Sequence, residues 1–316
     1  MEKKILLSGV KPTGRPHIGN YFGAMRQFVD LQNENDAYVF IADYHALTTL
    51  QNREELEQNS LDILLDYLAI GLDPNKVVIF KQSDVPEVTE LAWIFNCITT
   101  VPYLMRAHAY KDAEAKNKEI SVGTFDYPLL MAADILIQDA DIVPVGQDQK
   151  QHVEYARDTA EKFNRIFGEE VFKIPEPIVL DNSGTVPGID GQKMSKSYGN
   201  TIPLFGSDDE IKKLVMKIVT DSGSEIPENV YAIHKLFKGE DELKDIYEEH
   251  KGKYQKLKEI LAEDIIDFVR PLRENREALA KDMDSVRNIL KRGGETAKKR
   301  AMEKMAKVKE VIGVNY

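Results

Sequence analysis

Two short runs of this sequence carry groups suited to phosphate chemistry. The first is Gly9-Val10-Lys11-Pro12-Thr13-Gly14-Arg15-Pro16-His17-Ile18-Gly19-Asn20. It follows a strand-like run and precedes a helical one. At such a junction the helix N-terminus offers free N–H groups and a dipole that favours anions. His17 can donate a hydrogen bond to a phosphate oxygen. Gly19 lets a base or phosphate approach the main chain closely. An ordinary Gly/Pro turn before a helix explains the run equally well. The second run is Lys193-Met194-Ser195-Lys196-Ser197. It follows the glycine-rich stretch Ser183 to Gly191, which reads as a flexible loop. Two lysines three apart, with serines between, suit a mobile clamp on a triphosphate, because an ammonium is a point charge that can follow a moving group. Taken alone, the lysine pair is better read as a solvated charged loop.

A third residue stands out by its setting. Asp134 lies in the otherwise apolar Met131-Ala132-Ala133-Asp134-Ile135-Leu136. A carboxylate buried there needs a donor, since losing the partner of a buried charge costs about 3–5 kcal/mol. The bland alternative is an aspartate in a salt bridge or at a helix N-terminus. His108, His152 and His234 show no ligand spacing with one another, and no metal site is expected. The single cysteine, Cys97, excludes an internal disulfide and four-cysteine metal sites. Cys97 and Trp93 fall on an expected helix from Pro86 to Met105 and read as core or subunit-interface packing.

These groups need elements to position them. Lys4–Ser8, Tyr38–Ala42, Val77–Phe80 and Asp141–Val145 read as buried strands, with Pro144 expected to end the pairing of the last. Their apolar runs are continuous rather than alternating, as in parallel strands covered on both faces. Asn52 with Glu55 resembles a capping box, and Gly71 is a plausible stop for the helix it opens. Gln147 to Phe167 reads as a further helix ending at Gly168. Strands alternating with helices imply an α/β fold, a Rossmann-like doubly wound parallel sheet. From about residue 206 the chain is charged, helix-prone and poor in strand signals. We therefore expect a catalytic domain over 1–205 and a helical domain over 206–316. The last helix carries Lys298, Lys299, Arg300, Lys304, Lys307 and Lys309.

The totals bound the answer. The chain has 316 residues, 42% hydrophobic and 30% charged, with a formal net charge of -11. An acidic total argues against a general nucleic-acid coat protein, though not against a local basic surface. The apolar run near the N-terminus is too short for a signal peptide, and no stretch approaches the roughly 20 apolar residues of a membrane span. A cytoplasmic enzyme is the expectation.

The two phosphate runs gain meaning as a pair. His17-Ile18-Gly19-Asn20, followed far downstream by Lys193-Met194-Ser195-Lys196-Ser197, resembles the paired signatures of class I aminoacyl-tRNA synthetases. Asn20 replaces the second histidine of the usual form, as is common in the tryptophan and tyrosine branch. Tyr127 to Leu136, followed by Val143-Pro144-Val145-Gly146-Gln147-Asp148-Gln149-Lys150-Gln151-His152, is similar to the tryptophanyl-tRNA synthetases in particular. Ala42 to Thr48 and Phe80-Lys81-Gln82-Ser83 fit the same family.

The resemblance implies activation of L-tryptophan with ATP and Mg2+, then transfer to tRNA(Trp), by a homodimer. It implies catalytic roles for His17, Lys193, Ser195 and Lys196. It implies ATP contacts at Lys11, Pro12, Thr13, His17, Gly19, Asn20, Gly146, Gln147, Asp148, Val186, Lys193, Met194, Ser195, Lys196 and Ser197. It assigns tryptophan binding to Asp134, Met131, Tyr127, Gln149, His45 and Leu7, with Asp134 accepting the indole N–H. Three positions depart from the family pattern: Gln147 where glutamate is usual, Lys11 where glutamine is common, and Leu7 where an aromatic often packs. A tyrosyl-tRNA synthetase shares the fold and both signatures, and the segment around Asp134 favours tryptophan. A small nucleotidyltransferase would need neither the long helical region nor the lysine loop. A synthetase-like sensor that has lost catalysis should lack a signature lysine or the His17 turn, and neither is missing.

Overall fold

The computed structural model describes residues 3–115, 119–146, 150–179, 186–220 and 225–314. Five strands, β1 (Ile5–Val10), β2 (Asp36–Ile41), β3 (Val77–Lys81), β4 (Ile142–Val145) and β5 (Glu176–Val179), form one parallel sheet in the order β3-β2-β1-β4-β5. Successive side chains leave a strand on opposite faces. Leu6, Val39, Ile41, Val77 and Ile79 join one apolar cluster, with Phe28 and with Ile63, Leu64 and Tyr67 of the helix Arg53–Ala69. Ile5, Leu7, Tyr38, Phe40 and Phe80 join the other. There they meet Leu91 and Phe95 of the helix Glu87–Ile98 and Leu129, Ala132 and Ala133 of the helix Val122–Ile137. Both faces are covered, which is why the strands read as unbroken apolar runs. The expected doubly wound α/β architecture is the one that forms.

Strand order reverses between β1 and β4. The chain runs outward from β1 to β2 and β3, then crosses back to place β4 on the other side of β1. Connections leaving β1 and β4 therefore diverge, and the crevice at their carboxyl ends is where open α/β sheets hold nucleotides.

Local signals set several element ends. Asn52 Oδ1 accepts the Glu55 N–H at 3.0 Å and opens the helix Arg53–Ala69. The expected helix from Pro86 to Met105 is broken. Glu87–Ile98 ends, Thr99 and Thr100 are extended, and a short helix Val101–Leu104 follows. Pro102 accounts for the break: it has no N–H to give the Ile98 carbonyl, and its ring would collide with that carbonyl in a continuous helix. Trp93 is 70% exposed and Cys97 is exposed as well, so neither packs into the core of the chain. Pairing also continues past Pro144, which stands in register with Ile178 of β5, as Val145 does with Val179. With β1 only Leu6↔Ile142 is in register, so the missing proline donor tells on that side.

Beyond Ser207 the described chain contains only helices and their connections. The last helix, Met283–Ile312, lies along β3 rather than apart from the sheet. Its Ala297, Ala301, Met305 and Val308 enter the second apolar cluster. A Cβ on Gly293 would sit 1.8 Å from the Ile79 carbonyl oxygen, so only glycine allows this approach. The helix thus covers an edge strand that would otherwise be open. Four basic residues of its C-terminal half turn to the sheet domain. Lys304 meets Asp139 at 2.6 Å, Lys307 meets Glu169 at 2.5 Å and Lys309 meets Glu90 at 2.8 Å. The Arg300 guanidinium lies 5.6 Å from the Tyr38 ring centroid. Lys298 and Lys299 remain exposed. No described helix is long and apolar enough to cross a membrane.

Candidate functional site

The two phosphate runs, more than 170 residues apart, are stitched together by backbone. Ile18 N–H donates to Ile202 O and Leu204 N–H to Pro16 O, both at 3.0 Å. A cleft of about 460 Å3 opens over the carboxyl end of β1. Lys11, Thr13, His17, Asn20, Ser195 and Lys196 line it together with Ile63 and Tyr67. A larger cavity, about 750 Å3, lies between the N-terminal half of the helix Arg53–Ala69 and the last helix, and contains neither motif.

His17 is 6% exposed and sits at the start of the turn Ile18–Asn20. Its N–H donates to Asn20 Oδ1 at 3.1 Å, and its Nδ1 accepts the Asn20 N–H at 3.2 Å. Because Nδ1 is an acceptor, the one proton of the neutral ring is on Nε2. Burial, and after it the Lys196 ammonium, depresses the imidazole from 6.5 to about 4. The site therefore holds a neutral histidine of fixed tautomer with Nε2–H as its free donor. A Cβ on Gly19 would lie 3.0 Å from His17 Nδ1, which ties the glycine to the seating of this ring.

The lysine loop is held from beneath by Asn200, which is 2% exposed. Asn200 Oδ1 accepts the Ser195 N–H at 2.8 Å, while Nδ2 donates to Lys193 O at 3.1 Å and to Asp190 Oδ1 at 2.7 Å. Met194 and Val186 are buried in the first cluster, so their side chains anchor the loop rather than line the cleft. Lys196 Nζ donates to the Thr13 and Gly14 carbonyls, each at 2.9 Å. Lys193 is exposed. Pro12 is buried. Gly146 closes β4 at the same edge of the sheet, whereas Gln147, Asp148 and Gln149 lie outside the described residues.

The apolar segment does bury its acid. Asp134 is 4% exposed, inside the helix Val122–Ile137. Its carboxylate accepts from His45 Nε2 at 2.9 Å and from Gln82 Nε2 at 2.9 Å. Burial pushes the carboxyl above its usual range, and the His45 and Gln82 hydrogen bonds pull it back. His45 comes from the short helix Asp43–Ala46 just after β2, and Gln82 follows β3 directly. Tyr127 stands edge-on to His45 with centroids 6.0 Å apart, and its hydroxyl pairs with His152. Lys11 Nζ lies 5.8 Å from the Tyr127 ring centroid, so the two halves of the site touch. Met131 is half-buried against the second cluster. Leu7 is 1% exposed and serves as core beneath the site.

Sequence reasoning missed Gln82, Asn200 and Asp66. Gln82 had a signal, since it directly follows a strand at the edge where ligands bind. Asp66 is 2% exposed and accepts from Arg276 Nε at 2.6 Å, while Arg276 Nη2 donates to Asp62 at 2.5 Å. Burial raises the Asp66 carboxyl to about 6. Its partner lies 210 residues away, and no local pattern announces it.

The family model for class I tRNA synthetases (W and Y) matches residues 1–290. The sequence is 51% identical to the tryptophan–tRNA ligase of Fusobacterium nucleatum, across 98% of this chain and 97% of that protein. It is 46% identical to that of Rhodopirellula baltica, across 98% and 99%. The fold is similar to the crystal structure of the Campylobacter jejuni tryptophanyl-tRNA synthetase complexed with ADP and tryptophan. That match has a TM-score of 0.92 at 45% identity and covers 98% of this chain and 99% of that one.

Proposed function

We propose a division of labour among these residues on one premise: the chain belongs to the class I tRNA synthetases (W and Y) and is a tryptophan–tRNA ligase. The observation that carries the residue assignments is the meeting of His17, Lys196 and Ser195 in one cleft that touches the Asp134 site through Lys11 and Tyr127. In our reading the tryptophan carboxylate attacks the α-phosphorus of ATP in line, and pyrophosphate leaves. No protein nucleophile takes part. Catalysis is positioning and stabilisation of charge. ATP arrives with its Mg2+. His17 gives its Nε2–H to a phosphate oxygen, and Lys193, Ser195 and Lys196 close on the leaving oxygens. Asp134 accepts the indole N–H, and Tyr127 and His45 border the ring. Gln149 is assigned to the substrate ammonium, and Gly146, Gln147 and Asp148 to the adenosine.

The adenylate is then attacked by the terminal ribose hydroxyl of tRNA(Trp). We place the anticodon-side surface on the helical region from residue 206. On the last helix the exposed Arg287, Lys291, Arg292, Lys298 and Lys299 are offered to it, while Arg300, Lys304, Lys307 and Lys309 are occupied against the sheet domain. A homodimer is supported by large apolar side chains left in water on three neighbouring helices: Trp93 at 70%, Val101 at 59% and Val122 at 80% exposure. Patches of this kind mark interfaces. A cytoplasmic location belongs to the same reading.

Amino-acid-dependent ATP–pyrophosphate exchange with all twenty amino acids tests the assignment. Tryptophan should dominate. A site built around a substrate N–H rejects an analogue lacking it by about 10⁴, so phenylalanine should be nearly silent. Exchange driven best by tyrosine would move the chain to the sister activity.

A further inference from the structure

The Asp134 carboxylate is partnered so that one acceptor position is left over. Oδ2 takes two donors, His45 Nε2 and Gln82 Nε2, each at 2.9 Å. Among the described residues Oδ1 takes only Gln82 Nε2, also at 2.9 Å. A carboxylate oxygen has two lone pairs. Oδ2 is therefore full, and Oδ1 has room for one more donor. The direction of the Gln82 amide is itself set by backbone, because its Oε1 accepts the His45 N–H at 3.2 Å. Turned over, the amide would face oxygen against carboxylate and NH2 against N–H. Gln82 is 0% exposed, so bulk solvent cannot satisfy a turned amide. The His45 N–H cannot drift either. It sits on the short helix after β2, and Asp43 of that helix accepts the Ser83 N–H at 3.0 Å. The ends of β2 and β3 are thus clasped, and the clasp aims a donor at Asp134.

We propose that Gln82 is a specificity-determining positioning residue, holding Asp134 as an acceptor with Oδ1 turned to receive the indole N–H of tryptophan. This rests on the reading of Asp134 as the partner of tryptophan. Without the amide, both oxygens lose a donor, and the buried carboxyl is free to rotate or to take up a proton. In either case Oδ1 no longer presents a fixed lone pair. The preference for a ring that carries N–H over a ring of the same shape without it then fades.

The test compares kcat/KM for activation of tryptophan and of 3-benzothienylalanine, whose sulfur replaces the N–H. Wild type, Gln82→Met, Gln82→Glu and Asp134→Ala are measured side by side. The tryptophan preference should fall about tenfold or more in both Gln82 variants, as expected for weakening a hydrogen bond to a charged group. The KM for ATP should stay within about twofold. A purely structural role for Gln82 would lower both amino acids alike and leave the ratio at its wild-type value, which would overturn the proposal. If the ratio collapses in Asp134→Ala and stands in both Gln82 variants, Gln82 is excluded and Asp134 is kept. If it stands in all three, the Asp134 reading itself fails. Gln82→Glu keeps the size and the accepting oxygen, so it carries the test if Gln82→Met does not fold.

Discussion

At the scale of single residues, the environment decides what a side chain can do. His17 is in the cleft as expected, but its protonation and tautomer come from neighbours. The Asn20 N–H occupies Nδ1, and burial beside Lys196 keeps the ring neutral. The Nε2–H is then a constant donor from pH 5 to 9. Titrating the ring by NMR in the free enzyme should give a value of about 4; a midpoint near 6.5 would show that the ring is not held this way. The linked effect on stability has a definite sign. Between 6.5 and about 4 the unfolded histidine binds a proton that the folded site refuses. His17 therefore lowers stability as pH falls through that window, and below about 4 the effect levels off. His17→Asn should lose this part of the acid sensitivity, read from urea unfolding at pH 7 and pH 4.5.

At the scale of elements, the lysine loop and the last helix make opposite demands. The proposed mechanism asks the loop to move, and Lys196 latches it to two carbonyls of the facing turn. In the proposed mechanism ATP would exchange those bonds for phosphate bonds, with little binding energy gained in the ground state. Charge then builds on the pyrophosphate as it leaves, where contacts that strengthen only in the transition state raise the rate. Lys196→Ala should slow adenylate formation by two to three powers of ten, about 3–4 kcal/mol at roughly 1.4 kcal/mol per power. The ATP dissociation constant should change far less. Pre-steady-state adenylate formation at saturating ATP separates the two; a wild-type rate with poor ATP binding would make the loop a simple anchor. The last helix must not move. Gly293 leaves no room for a methyl group against Ile79, and overpacking of that kind typically costs 1–3 kcal/mol. Gly293→Ala should destabilise the chain by about 3 kcal/mol, read from denaturant midpoints. A neutral result would mean that the helix is free to shift.

Across the whole molecule, charge and apolar surface are sorted by destination. Arg276 ties the helical region to the helix beneath the cleft through Asp62 and Asp66. Arg273 does the same within the helical region, meeting Asp208 at 2.6 Å. Aromatic side chains join the two parts as well, with Phe22 stacked 5.6 Å from Phe268 and edge-on to Phe237 at 5.2 Å. The cleft thus rests on elements from both ends of the chain. On the opposite side Trp93 is 70% exposed among the described residues. If the proposed dimer forms through this face, analytical ultracentrifugation should show wild type as a dimer and Trp93→Asp as a monomer at the same concentration. A dimer of unchanged affinity would place the interface elsewhere.

Continuous apolar strands, the Asn52 cap and the two phosphate runs were legible in the sequence because each is a local pattern. Strand periodicity and capping act over a few residues, and a motif carries its chemistry in its own spacing. The lone acid in an apolar segment was legible for the same reason. What the sequence left open depends on residues far apart in the chain. Arg276 answers Asp66 across 210 residues, and Gln82 aims at Asp134 across 52. The helix over Pro86 to Met105 was misread where Pro102 overrode a favourable pattern. The sequence shows a last helix rich in basic residues, yet of the six from Lys298 to Lys309 four are turned to acids and rings of the sheet domain. A lysine in a sequence shows its charge but not its partner. Only the packing of the last helix along β3 decided which charges meet a carboxylate and which remain in water.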